Sequence, residues 1–171
     1  MSGNAARLYE EDFVRWTEEQ SSVLREAARL GTKLPLDWEN LAEEIDSLGR
    51  SVRRELRSRL GIILEHLLKL EHSPATDPRR GWMETIDRER ADIERLLEDS
   101  PSLKSDVAGM IVEEAPRVAR LTTRILLGHR EGVGNLAPPT YTEDQVLGDW
   151  FPGNGPHPNP LPASGEREEP A

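Results

Sequence analysis

The longest regular pattern in the chain is a run of apolar residues at Leu41, Ile45, Leu48, Val52, Leu56, Leu60, Ile63, Leu67 and Leu70, with gaps of three or four between them. The mean gap is close to the α-helical repeat of ~3.6 residues. The pattern predicts a helix from the N-cap Asp37 to about His72, ended by Ser73-Pro74 and roughly 54 Å long. Gly49 and Gly61 lie inside it, each costing about 1 kcal/mol relative to Ala, and mark a bend or a close helix crossing. A first helix is expected from about Glu11 to Leu30, with Phe13, Trp16, Val23, Leu24 and Ala27 near one face and Gly31 just past its end. A third spans about Trp82 to Glu98 on the stripe Trp82, Ile86, Ile93, Leu96 and Leu97. A fourth starts after Ser102 and runs to Leu127, through Val107, Ile111, Ala115, Val118, Thr122 and Ile125. Pro116 inside it removes a backbone donor and is expected to kink the helix or split it at Ala115. Thr142-Glu143-Asp144-Gln145 matches a capping box, so one or two helical turns follow. After them Trp150 and Phe151 are expected to fold back over the bundle.

No segment alternates as a strand does, and aromatic residues are only 5% of the chain. The predicted fold is therefore all-α: an up-and-down helical bundle of four main helices, one long and central, with a short C-terminal helix. Residues 1–151 form a single helical domain in this reading. Six of the 13 prolines fall in residues 152–171, which marks a disordered proline-rich tail. The stretch PHPNPLPASGERE within it resembles peptides read through from interspersed repeat DNA of bacterial genomes.

Composition narrows the chemistry. The chain of 171 residues has no Cys, which removes disulfides, thiol catalysis and thiolate metal sites. A net charge of −10 argues against broad nucleic-acid binding. No run approaches the ~18 apolar residues of a membrane span, and MSGNAARLYEEDF lacks an apolar signal core. A cytoplasmic protein without membrane contact is expected. His66, His72 and His129 have Ile63, Lys69 and Leu126 three residues before them, so no Glu-x-x-His pair for a di-iron bundle exists. There is no Gly-x-Ser-x-Gly elbow and no phosphate loop, and Gly132-Val133-Gly134 reads as a turn. Glu43-Glu44 and Glu113-Glu114 point about 100° apart on their helices. No cofactor, metal or catalytic residue is assigned.

Polar residues on the apolar stripes are more informative. With Val52 as zero and ~100° per residue, Arg59 lies at about −20° and His66 at about −40°. With Ile93 as zero on the next helix, Glu89 lies at about −40°. Matching His72 with Trp82 in an antiparallel hairpin brings His66 level with Glu89. A buried charge is costly unless paired, so the two are expected to touch, either as a satisfied polar core contact or as an acid–base pair. Arg59 follows Glu55 by one turn and is expected to snorkel or to pair with a carboxylate on a neighbouring helix. On the opposite face, Arg50, Arg53, Arg54 and Arg57 form a candidate partner-binding surface within RSVRRELRSR. That patch can pair with acidic residues of other helices or of a second subunit, stay solvated, or hold an acidic partner.

The segments LYEEDFVRW (8–16), DWENLAEEIDSLGRS (37–51), RSRLGIILEHLLKL (57–70), RGWMETIDRERADIERLLEDSPSL (80–103) and YTEDQVLGDWFP (141–152) resemble the bacterial family catalogued as the domain of unknown function number 29. The resemblance covers about residues 8–152 and implies a small all-α protein. It supplies no catalytic residues. Three function classes follow. The first is a protein–protein interaction or adaptor module. The second is an enzyme with a carboxylate–histidine site at His66 and Glu89. The third is a nucleic-acid accessory protein using the arginine face. The overhang of the long helix asks for cover from the first helix or from a second copy, so a homodimer is expected as one solution.

Overall fold

The structure is a computed structural model and describes residues 2–129 and 131–153. It contains α1 (Ser2–Glu11), α2 (Phe13–Arg29), α3 (Trp38–His72), α4 (Arg79–Asp99), a 3-10 turn (Pro101–Asp106), α5 (Val107–Gly128) and α6 (Glu143–Leu147), with no strand among the described residues. The tail beyond Gly153 lies outside the described residues. Pro152, placed in that tail by composition, is buried.

The long helix has the ends its sequence predicts. Asp37 caps it by accepting from the Asn40 N–H at 3.2 Å, and the chain turns extended at Ser73. Its 35 residues span roughly 52 Å. α3 is the hub of the fold, packing against α2, α4, α5 and α6. Its C-terminal half carries the main core. Leu60, Ile63, Leu64, Leu67 and Leu68 are buried there with Ile86 and Ile93 of α4 and Val107, Ile111 and Val118 of α5. α4 runs antiparallel to α3, since Arg59 meets Glu89 and Asp92 while Arg79 Nη1 donates to the Leu70 carbonyl at 2.9 Å.

The N-terminal half of α3 is covered differently. α2 lies along it, with Val14, Thr17 and Ser21 buried against the face that carries Ala42, Gly49 and Leu56. Small residues let the two backbones approach. A Cβ at Gly49 would overlap Thr17 Oγ1, a hydroxyl that donates to the Val14 carbonyl at 2.7 Å. At Gly61 a Cβ would meet only the tip of the flexible Arg117 side chain, at 2.8 Å, with Val118 of α5 at an ordinary 3.9 Å. Gly49 marks a close crossing. The four main helices thus form two storeys on one hub, α2–α3 below and α3–α4–α5 above.

Three expectations need correction. The expected first helix is α2, but a further helix, α1, precedes it; Asp12 separates the two, its extended backbone starting α2 and its carboxylate accepting from the Arg15 N–H at 3.0 Å. The same carboxylate takes the Ser102 N–H at 2.7 Å and the Ser102 hydroxyl at 2.9 Å, tying the start of α2 to the 3-10 turn. α4 begins at Arg79 instead of Trp82, because Pro78 already sits in helical conformation at its N-cap. Pro116 does not split α5, which runs unbroken from Val107 to Gly128. Its missing N–H would have served the carbonyl of Val112, a residue 72% exposed and open to water. The expected capping box is present. Thr142 Oγ1 accepts from the Gln145 N–H at 3.3 Å, and Gln145 Oε1 from the Thr142 N–H at 2.9 Å.

The close crossing gives a direct test. Gly49→Ala should destabilise the protein by about 2 kcal/mol through overpacking, despite alanine's better helix propensity. Thr17→Ala added to it should recover most of that loss. Gly109→Ala, where a Cβ meets nothing within 4 Å, should stabilise by up to about 1 kcal/mol. Urea unfolding of the four proteins checks all three.

Candidate functional site

The arginine face is largely spent inside the molecule. Arg50 pairs with Asp46 and Glu43 on its own helix. Arg53 reaches Asp106 at 2.6 Å and also pairs with Glu18 of α2. Arg57 meets Glu113 at 2.8 Å and Glu114 at 3.9 Å on α5. Arg54 is held by the Ser51 hydroxyl at 2.7 Å. Of the readings left open, pairing with acidic residues of other helices describes Arg53 and Arg57. Exposed pairs of this kind are worth little in stability, but they set α2 and α5 in place around α3.

No hydrogen bond or ion pair joins His66 to Glu89, although Glu89 is near enough to act on the imidazole's charge. His66 Nδ1 lies 2.9 Å from the Ile62 carbonyl one turn back, as a donor would. Glu89 instead accepts from Arg59 at 2.9 Å. Arg59 reaches Glu89 and Asp92, and Arg79 reaches the Leu70 carbonyl, so Glu89 is drawn toward Arg59. Burial lowers the His66 pKa below the usual histidine value, aided by nearby Lys69 and opposed by the Ile62 carbonyl, Glu65 and Glu89. Arg59 has the partners expected of it: Glu55 Oε1 at 2.9 Å on its own helix, and Glu89 and Asp92 across the hairpin. Burial works against its charge, yet these carboxylates outweigh it and its pKa is raised.

Arg90 escaped the sequence reading. It is 9% exposed and grips the chain after α5 through backbone carbonyls. Its Nε donates to Val146 at 2.9 Å, and its Nη2 donates to Gln145 at 3.1 Å and Trp150 at 2.8 Å. The Phe151 ring lies beneath the guanidinium, 4.9 Å from its carbon. Burial lowers the Arg90 pKa, with Asp87 and Asp149 opposing. The expected fold-back is therefore real for Phe151, which joins the core, while Trp150 stays partly exposed beside Tyr141. Tyr141 in turn donates to Glu71 at 2.5 Å. A signal for Arg90 was present: it shares a helical face with Ile86, Ile93 and Leu97.

The two-storey plan leaves one surface uncovered. The buried seam of the α2–α3 hairpin has a charged side, where Arg25 meets Asp46 at 3.3 Å and Arg53 meets Glu18. Phe13 and Leu24 of α2 and Leu41, Ile45, Leu48 and Val52 of α3 lie on its other side. Phe13 and Val52 line a common cavity of about 500 Å³, closed above by Leu96 of α4 and at the end by Tyr9 of α1. Tyr9 packs edge-on against Phe13 and Trp16, at 5.6 and 4.9 Å between ring centroids. Below the end of α4, Leu41 is 39% and Leu48 46% exposed. Both belong to the stripe whose period predicted the helix. The expected overhang is thus covered by α2 on its small-residue face, and its leucine face remains open.

Two measurements check this site. The His66 ring should titrate below the usual ~6.5 by NMR. Since the unfolded histidine takes up a proton near pH 6.5 and the folded one resists it, stability should fall as pH drops through about 6.5. That part of the fall should vanish in His66→Gln, as urea unfolding at pH 7.0 and 5.5 will show. Arg90→Ala should cost about 3 kcal/mol, because three carbonyls lose a charged donor, and should speed amide hydrogen exchange around α6 first.

Among the described residues no group of three or more His, Asp or Glu is arranged to hold a metal ion, and no helix is long and apolar enough to cross a membrane. The chain is similar to an α-helical protein of unknown function from Rhodospirillum rubrum, known from its crystal structure. The TM-score is 0.67 with 25% sequence identity, over 82% of this chain and 89% of that one. No curated protein matches the sequence. The family model described as "Domain of unknown function DUF29" matches residues 8–150. With most of its length covered by that model, the chain belongs to the DUF29 family.

Proposed function

We propose that this protein is a bacterial, cytoplasmic protein-interaction module that docks a partner on the open apolar face of the α2–α3 hairpin. The observation that carries the reading is the exposure of Leu41 and Leu48 in line with the half-buried Ile45 and Val52. Apolar residues at helical spacing normally face a core, and a contiguous open patch of them marks an interaction site. The competing readings draw less support. An enzyme built on His66 and Glu89 needs the two in direct contact, and the Glu89 carboxylate is instead paired with Arg59. A nucleic-acid surface needs free arginines, and Arg50, Arg53 and Arg57 are engaged by carboxylates.

Site-specific photo-crosslinking in the native cell tests the docking face. A photoreactive residue at Leu48 should give a discrete adduct. One at Val112, more exposed yet isolated on α5, should not. Equal labelling at both positions, or none at Leu48, would remove the proposal.

A further inference from the structure

We infer that the open hairpin face receives a basic amphipathic helix of a partner protein; the inference rests on the docking reading above and adds the chemistry of the occupant. The floor is apolar: Tyr9, Phe13, Val52 and Leu96 in the cavity, continued by Leu48 and Leu41 along α3. From Leu41 to Glu55 this floor runs about 21 Å, or four helical turns, which suits a helix presenting apolar anchors at i, i+3, i+4 and i+7.

The rim selects the charge. The cavity is lined by four carboxylates, Glu10, Glu55, Asp92 and Asp99, against two guanidinium groups, Arg59 and Arg95. Both cations are already committed. Arg59 is divided among Glu55, Glu89 and Asp92, and Arg95 is held by Asp92 at 2.5 Å. Glu10 and Asp99 therefore present negative charge to whatever lies on the floor, and Glu44 adds one beside the Leu41–Leu48 stripe. Complementary potentials favour a cationic partner and penalise an anionic one. This disfavours a second copy of the chain, which carries −10 overall and the same acidic rim. It likewise disfavours nucleic acid or an anionic membrane. The chain's own final segment fits poorly. The described residues end at Gly153 beside Arg79, at the far end of α3, and the sequence beyond holds SGEREEP, itself acidic.

Fluorescence anisotropy with the full chain tests the inference. The probe is an 18-residue model helix with leucine on one face and lysine on the other. One control replaces each lysine with glutamate, and a second scrambles the lysine peptide so that it is no longer amphipathic. The basic amphipathic peptide should bind at least about tenfold more tightly than either control, with the preference shrinking as salt rises. Leu41→Asn with Leu48→Asn should weaken binding about tenfold. Glu10→Gln with Asp99→Asn should narrow the gap between basic and acidic peptides. All four positions are exposed, and unchanged circular dichroism and melting will confirm that both variants fold. Equal binding of the acidic peptide, still lost in the leucine variant, overturns the charge assignment and leaves the docking face standing. Equal binding of the scrambled peptide overturns the amphipathic helix. No peptide binding at all, with the leucine variant unchanged, overturns both. A concentration-dependent dimer abolished by the leucine variant seats a second copy on the face and overturns the occupant named here.

Discussion

A helix of 35 residues exposes more lateral surface than any other element of this chain can cover. The next longest, α5, has 22 residues and α4 has 21. That mismatch governs the architecture. Two helices of about twenty residues enclose the upper half of α3 and build a core of branched apolar side chains there. The lower half receives α2 alone. One helix shields one side of another, so a two-helix layer always retains an unshielded side. The choice made here is unusual in direction: α2 takes the face of Ala42 and Gly49, and the larger side chains stay outside.

Charged residues divide into two kinds of work. Along the surface, Arg53 and Arg57 bridge α3 to α2, the 3-10 turn and α5. Each such pair is screened by salt and worth little alone. Arg90 does the opposite work. It is desolvated and held by carbonyls through Nε and Nη2, with Asp87 3.6 Å from Nη1, and there a lost partner is expensive. Asp12 is the acidic counterpart, nearly buried and shared between the start of α2 and the 3-10 turn.

Much of the architecture was legible in the sequence because it is written in local chemistry. Asp37 and Ser73 bound α3, Thr142 and Gln145 start α6, and Gly31 follows α2 with φ of 65°. What was hidden depends on pairs of elements. Ala42 and Gly49 carry almost no hydropathy signal, so periodicity favoured the leucines as the buried face. The offset between α3 and α4 cannot be read from either helix alone: matching His72 with Trp82 set Glu89 level with His66, whereas its carboxylate pairs with Arg59. α1 was missed because its sequence, SGNAARLYEE, carries only Leu8 and Tyr9 as large apolar residues and so shows no apolar stripe. The open face became visible only once α2 and α4 had been placed.

The grip of Arg90 on α6 has an evolutionary corollary. Its three acceptors are main-chain oxygens of Gln145, Val146 and Trp150, and every amino acid supplies such an oxygen. An anchor of this kind reads the path of the chain and is blind to its spelling. The exposed side chains around α6 are thereby released from that task and can drift toward other duties, while Arg90 and the core residues Val146 and Phe151 cannot.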